Sequence, residues 1–126
     1  MRTLFVNGTV INADGQAESD VAVVGEKITQ IVPRVAGGIA PEPDDLVIDA
    51  AGCFVVPGGV DAHVHMELDT GATVSSDSFT SGTIAAAYGG TTTIIDFAEQ
   101  RAGGNVLEAF EKRYAAAESQ CVVDWG

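Results

Sequence analysis

Two histidines, His63 and His65, are the residues of this chain whose type and spacing are best suited to chemistry. In a β-strand alternate side chains project from the same face, so two histidines separated by one residue share a face, about 6.5 Å apart at the backbone. Asp61 follows the same alternation. Neutral imidazole is a ligand for zinc and related divalent metals. The spacing therefore predicts that His63 and His65 converge on one metal ion.

The alternative for any His-x-His pair is two unrelated surface histidines. The surroundings favour a metal site, because these are the only histidines in the chain and they close an apolar run that begins at Phe54. The sequence predicts one strand from Phe54 to His65. A hydrophobic strand with ligands at its C-terminal end is how (β/α)8-barrel enzymes present their active sites.

The elements that position this pair are predicted to alternate between strands and helices. A helix capped by Ser76 or Asp77, with acids in its first turn, ends at Gly89-Gly90. The β-branched run from Thr91 to Phe97 is typical of a strand buried on both faces. The strands of such an alternation are parallel and joined by helical crossovers.

A second helix and a third strand follow. Asn105 and Glu108 resemble a capping box at the start of the helix, and the strand begins at Cys121. Four residues recur at helical spacing and are predicted to bury one helix face: Leu107, Phe110, Tyr114 and Ala117. The order after the first fifty residues is therefore β-α-β-α-β.

The first 53 residues predict short strands separated by turns. Asn7-Gly8 predicts a hairpin turn between two short apolar runs, and Asp14-Gly15 marks another turn. A second hairpin is predicted to turn at Gly25-Glu26, and Leu46 begins a further strand. These residues include no candidate catalytic or metal-binding side chain, so we predict that they form a small β-domain with a structural role.

Asp96 is a second polar residue near the end of a predicted strand. A carboxylate there would support a metal-bound histidine through a hydrogen bond, cap the following loop, or pair with an arginine. The sequence leaves these three roles open, as it leaves open the role of Asp61.

Composition excludes several classes of function. The chain has 18 acidic and 6 basic residues and a net charge of −12, which argues against nucleic acid or an anionic membrane surface as a partner. The N-terminus has no signal-peptide pattern and no stretch is long and apolar enough for a membrane helix, so we expect a cytoplasmic protein. Cys53 and Cys121 are predicted to be buried free thiols.

Beyond its histidine pair, the sequence resembles a known family in many separated stretches. These are Pro57-Gly58-Gly59-Val60-Asp61-Ala62-His63-Val64-His65, Met66-Glu67-Leu68, Thr73-Val74-Ser75-Ser76-Asp77-Ser78-Phe79, Ser81-Gly82-Thr83, Ala85-Ala86-Ala87, and Gly89-Gly90-Thr91-Thr92-Thr93-Ile94-Ile95-Asp96-Phe97. The first stretch resembles the first-strand signature of the amidohydrolase superfamily. The others resemble its dihydropyrimidinase and D-hydantoinase branch.

The resemblance implies an α/β fold. Residues 54–126 would hold the first three strands of a metal-dependent (β/α)8 TIM barrel, and residues 1–53 part of a small β-sandwich domain. A (β/α)8 barrel needs about 250 residues, so we expect the 126 residues to be the N-terminal portion of a larger enzyme.

The implied activity is the hydrolytic opening of a cyclic amide, a dihydropyrimidine or hydantoin ring, as in pyrimidine catabolism. The implied cofactor is a binuclear metal site, usually zinc, whose bridging hydroxide attacks the substrate carbonyl. His63 and His65 would bind the more buried metal. The implied assembly is a homotetramer.

Other parts that the resemblance implies have no match in this chain. They are a carboxylated bridging lysine, two further histidines, a proton-shuttling aspartate and an oxyanion-stabilising tyrosine. The only lysines, Lys27 and Lys112, lie in a predicted hairpin and on a predicted helix face. We therefore place no catalytic residue here, expect these parts downstream of Gly126, and predict that residues 1–126 alone are inactive.

The loop after the histidines departs from the family pattern. Relatives usually have a proline and a phenylalanine soon after the Glu-Leu pair, where the loop lines the pocket for the substrate's exocyclic group. This sequence has Asp69 and Thr70. Because a small polar residue replaces an apolar wall, the resemblance does not determine which substrate this protein prefers.

Two alternatives to a hydantoinase-like enzyme remain open. Some relatives keep the fold, lose metal ligands and act as non-catalytic scaffolds, which need neither His63 nor His65. Allantoinase or dihydroorotase is the other alternative, although Met66-Glu67-Leu68 and the Thr93 to Phe97 segment favour the hydantoinase branch.

Overall fold

Strand β1 (Arg2–Asn12) is the central strand of a five-stranded sheet in a computed structural model that describes residues 1–126. On one edge it pairs antiparallel with β2 (Gly15–Val24), which pairs with β3 (Lys27–Pro33). On the other edge it pairs in parallel with β4 (Leu46–Asp49) and β5 (Phe54–Val55). The buried apolar residues of these strands are Leu4, Val10, Val21 and Ala22.

Three of the predicted features of this sheet are confirmed. Asn12 pairs with Gly15, which places a tight turn at Ala13-Asp14, and Val24 pairs with Lys27 across the predicted Gly25-Glu26 turn. Strand β4 begins at Leu46 as predicted. A short 3-10 helix, Arg34–Ala36, and a loop connect β3 to β4.

The predicted hairpin at Asn7-Gly8 is wrong, because β1 runs through both residues. Asn7 has a φ of 65°, and the pairing with β2 shifts between Phe5 and Gly8, which is a β-bulge. The carboxylate of Asp20 accepts a hydrogen bond from the Asn7 amide at 3.0 Å. The left-handed conformation that asparagine tolerates in turns is used here inside a strand.

The predicted single strand from Phe54 to His65 is also wrong. The structure ends β5 at Val55 and begins β6 (Gly59–Val64) after three intervening residues, Val56, Pro57 and Gly58. The chain divides into two compact units at this break, Met1–Pro57 and Gly58–Gly126. Phe54 and Val55 therefore lie in the first unit, paired with β1, and not in the second.

The second unit has the predicted β-α-β-α-β order. Its elements are β6, α1 (Phe79–Tyr88), β7 (Thr91–Asp96), α2 (Val106–Ala117) and β8 (Asp124–Trp125). The strands form a parallel sheet in the order β6-β7-β8. The buried residues of this unit include Ile94 of β7, Phe79 and Thr83 of α1, and Ala117 of α2.

Helix α1 begins later than predicted. Its cap is Ser78, not Ser76 or Asp77, and its first turn has no acidic residue. Ser78 Oγ accepts from the Ser81 amide at 3.1 Å, and Ser81 Oγ accepts from the Ser78 amide at 3.0 Å, so a serine completes the capping box. Gly90, with a φ of 83°, follows the helix as predicted.

Helix α2 is capped by Asn105 as predicted, through a hydrogen bond from the Leu107 amide at 2.8 Å, but the predicted capping box with Glu108 does not form. The predicted buried face is wrong for three of its four residues. Leu107, Phe110 and Tyr114 are 45–58% exposed, and only Ala117 is buried. Tyr114 packs on Trp125 with ring centroids 5.0 Å apart, but nothing in this unit covers the rest of that face.

Both cysteines are free, as predicted, but their burial is not as predicted. Cys53 is exposed and Cys121 is half-buried. Burial raises the pKa of the Cys121 thiol above its ordinary value, with a smaller contribution from the charge of Asp96. Neither helix of the chain is long and apolar enough to span a membrane.

Candidate metal site at the end of strand β6

His63 and His65 converge as their spacing predicts. Their Nε2 atoms lie 3.2 Å apart and their ring centroids 5.1 Å apart. Two nitrogen atoms this close, each about 2.0–2.1 Å from a shared zinc ion, satisfy the geometry of zinc coordination. The pair fits as part of a metal site.

The pair is not a complete site within this chain. No group of three or more histidine, cysteine, aspartate or glutamate side chains is arranged to hold a metal ion. Asp61 accepts a hydrogen bond from the backbone amide of His63 at 3.2 Å. Its carboxylate therefore bonds within the strand, and the two imidazoles are fewer than the four ligands of a typical zinc centre.

Two residues beyond β7 hold the imidazoles, and sequence reasoning missed both roles. The ring of Phe97 packs against both histidines, with centroid distances of 4.5 Å to His63 and 5.3 Å to His65. Glu99 Oε1 lies 3.4 Å from His65 Nδ1. The Glu99 carboxylate therefore lies beside the second ring nitrogen of His65, while Nε2 faces His63. The only sequence signal was that these residues follow the next strand's C-terminal end.

Asp96 has two of the three roles that its sequence allowed. Its Oδ2 accepts from Arg113 Nη2 at 2.6 Å, and its Oδ1 accepts from the Phe97 amide at 2.6 Å. It therefore pairs with an arginine and caps the following loop. Its carboxylate shows no bond to either imidazole.

A cavity of about 460 Å³ opens beside His65. Its walls include Glu67, Leu68, Asp69 and Val74 of the loop after the histidines, so this loop borders the candidate site as predicted. Asp69 forms an ion pair with Arg101 across the cavity. The backbone amide of Gly71, and then the charge of Arg101, lower the pKa of the Asp69 carboxyl. Thr70 bonds within its own loop, to the Thr73 carbonyl, and is not among the cavity walls.

Comparison with known proteins gives this geometry a family context. Residues 54–124 match the amidohydrolase family. The chain is 40% identical over 125 residues to a D-hydantoinase of Streptomyces coelicolor and 43% identical over 126 residues to one of Geobacillus stearothermophilus. A D-phenylhydantoinase of Escherichia coli is 51% identical over 96 residues, which are 76% of this chain and 20% of that protein.

Solved structures show the same similarity. A D-hydantoinase crystal structure superposes with a TM-score of 0.90 at 40% identity, and a dihydropyrimidinase from Brevibacillus agri with 0.90 at 38% identity. Each match covers all of this chain and 26% of the other. The chain spans 27% and 26% of the lengths of the first two curated relatives, covering 99% and 100% of its own residues.

Proposed function

This chain belongs to the amidohydrolase family, and from that premise we propose that its protein hydrolyses a cyclic amide, a hydantoin or dihydropyrimidine ring, with a bound divalent metal. The observation that carries this proposal is the convergence of His63 and His65, whose Nε2 atoms lie 3.2 Å apart. The match to proteins named D-hydantoinase and dihydropyrimidinase supports the choice of ring.

The proposed architecture follows the same premise. Strands β6, β7 and β8 would be the first three strands of a (β/α)8 barrel, and the sheet around β1 would be part of a small β-domain. In such a barrel the C-terminal end of β6, where His63 and His65 lie, belongs to the catalytic face.

We propose zinc as the metal, in a binuclear site bridged by a carboxylated lysine. A bound zinc ion lowers the pKa of a coordinated water and polarises the substrate carbonyl. In this chain, His63 and His65 present Nε2, Phe97 packs against both rings, and the Glu99 carboxylate lies 3.4 Å from Nδ1 of His65. Because these residues provide two ligands, catalysis requires further ligands from outside residues 1–126.

The cavity beside His65 suggests which rings bind best. The ion pair between Asp69 and Arg101 makes its wall polar. Burying an apolar substituent against this pair would desolvate both charges. We therefore propose that unsubstituted or polar-substituted rings are preferred to a phenyl-substituted hydantoin. Comparing kcat/KM for hydantoin and 5-phenylhydantoin tests this preference, and Asp69→Leu should shift it toward the phenyl compound.

The activity itself is tested by following ring opening of hydantoin and dihydrouracil by the purified protein that contains this chain. Activity should disappear after chelation and return with zinc. His63→Asn and His65→Asn should each reduce both zinc content and activity, whereas Arg2→Gln, in the first unit, should change neither. Residues 1–126 alone should show no turnover.

Two results would contradict the proposal. A folded, zinc-replete protein that opens neither ring would favour a non-catalytic relative of the same fold. Turnover by residues 1–126 alone would contradict the need for further ligands. The homotetramer implied by the resemblance and the cytoplasmic location expected from the sequence stay predictions, and light scattering on the purified protein tests the homotetramer.

A further inference from the structure

Arg113 on helix α2 connects three elements behind the histidine pair. Its guanidinium lies over the ring of Phe79 in α1, with Cζ 4.5 Å from the ring centroid. Its Nη2 donates to Asp96 at the end of β7 and to the backbone carbonyl of Met66. Met66 directly follows His65. One partly buried cation therefore contacts the backbone just after the end of β6.

The burial of this pair makes its bonds strong. The Arg113 side chain is 21% exposed and the Asp96 side chain 5% exposed. Charge-assisted hydrogen bonds are about twice as strong as neutral ones, and a buried carboxylate that loses its partner carries its full desolvation cost. The guanidinium is therefore held in one position, which makes it a rigid anchor for the Met66 carbonyl.

Helix α1 holds the same residue from the other side. The Met66 side chain packs against Gly82, where an added Cβ would lie 2.7 Å from the Met66 methyl carbon. The next amide, of Glu67, donates to the Asp77 carbonyl at 2.9 Å. Gly82 of α1 and Arg113 of α2 thus both contact Met66, the residue that follows His65.

We propose that Arg113 is a positioning residue for the metal-binding histidine pair, acting through the Met66 carbonyl and Asp96. This inference rests on the proposed function, because it assumes that His63 and His65 bind the metal. Loss of Arg113 would free the backbone that carries His65 and the strand end that carries Phe97. Removal of a group bonded directly to a metal ligand typically costs about 10–100-fold in metal affinity, and for Arg113, one contact further from the ligands, we expect the lower end of that range.

The chain contains a close match for a control. Arg2 in the first unit is also 21% exposed and pairs with an aspartate, Asp45, that is 4% exposed, at the same 2.6 Å. Arg113→Gln and Arg2→Gln therefore remove equivalent ion pairs, one behind the histidines and one in the other unit. Both variants should lose thermal stability.

The test measures zinc affinity of the purified protein by competition with a chromophoric chelator. Arg113→Gln should weaken zinc binding by at least tenfold, and Arg113→Lys, which keeps the charge but lacks the planar group that lies over Phe79, should fall between it and the wild type. Arg2→Gln should bind zinc within about twofold of the wild type, since its pair lies far along the sequence from the histidines. If Arg113 contributed only to stability, Arg113→Gln and Arg2→Gln would change the zinc affinity to the same extent.

The outcomes distinguish failure of this inference from failure of the proposed function. Wild-type zinc affinity in folded Arg113→Gln overturns the positioning role and leaves the proposed function intact. If His63→Asn and His65→Asn leave zinc affinity unchanged, the metal site itself is wrong. If Arg113→Gln does not fold, Asp96→Asn replaces it, and unchanged affinity in that variant overturns the inference equally.

Discussion

The ring of Phe97 lies 4.5 Å from that of His63 and 5.3 Å from that of His65, centroid to centroid, so one aromatic side chain from the end of β7 contacts both candidate ligands on β6. A single ring in contact with two imidazoles limits the rotation of both. The distance between their Nε2 atoms therefore depends on the neighbouring strand as well as on the spacing along β6.

Replacing Phe97 tests this dependence. Phe97→Ala should weaken zinc binding by about tenfold, in the range seen when the surroundings of metal ligands are altered, because both imidazoles gain rotational freedom. Titration calorimetry with zinc measures the change. Phe97→Leu, which keeps an apolar contact, should lose less, and equal affinity in all three proteins would contradict the role of the ring.

The cap of helix α1 provides a test of stability. Ser78→Ala should lower the free energy of unfolding by about 1 kcal/mol, because it removes the acceptor for the Ser81 amide. Ser76→Ala is the matched control and should change stability by less than about 0.5 kcal/mol, as ordinary surface substitutions do. Urea unfolding measures both variants, and a larger loss of stability for Ser76→Ala would indicate that Ser76 is the cap, as the sequence predicted.

Gly58 lies where the chain approaches β7 too closely for a side chain. An added Cβ would lie 2.7 Å from the Thr92 Cβ and closer still to the ends of that side chain. Gly58→Ala should therefore cost about 1–3 kcal/mol, as overpacking does. In a Thr92→Gly background the same substitution should cost much less, and additive effects in this double-mutant cycle would show that the contact is not the cause.

The ion pair between Arg2 and Asp45 predicts a pH dependence of the first unit. Hydrogen bonds from Arg2, then from the Glu42 amide, lower the pKa of the Asp45 carboxyl from 3.8 to about 2. A depressed carboxyl pKa stabilises the folded state above the unfolded pKa, and this stability is lost as pH falls from about 4 toward 2. Asp45→Asn should remove that part of the acid sensitivity, measured by thermal unfolding across this range. Asp14→Asn, in the exposed β1–β2 turn, should leave it in place.

Local patterns in the sequence predicted those features that depend on neighbours along the chain. The shared face of His63 and His65 follows from strand periodicity, and the turn at Asp14-Gly15 and the cap at Asn105 follow from residue type. The loop that borders the cavity was predicted from its position after a strand.

The features that were missed depend on contacts between distant residues. Asn7 forms a bulge because Asp20 binds its amide, and the strand that begins at Phe54 breaks near Gly58, which Thr92 approaches closely. Phe97 reaches the histidines only because β6 and β7 pair in one particular register. No pattern within a single segment encodes these three relationships.

The position of β1 at the centre of its sheet has a consequence for biosynthesis. Strand β1 is synthesised before the other strands of its sheet and pairs with β2 within a dozen residues, but its other edge stays unpaired until β4 and β5 have been made, up to Val55. Until then that edge offers unpaired amides and carbonyls to any other nascent chain. The same arrangement makes removal of β1 destructive, since its loss would leave the β2–β3 hairpin and the two short parallel strands with no common partner.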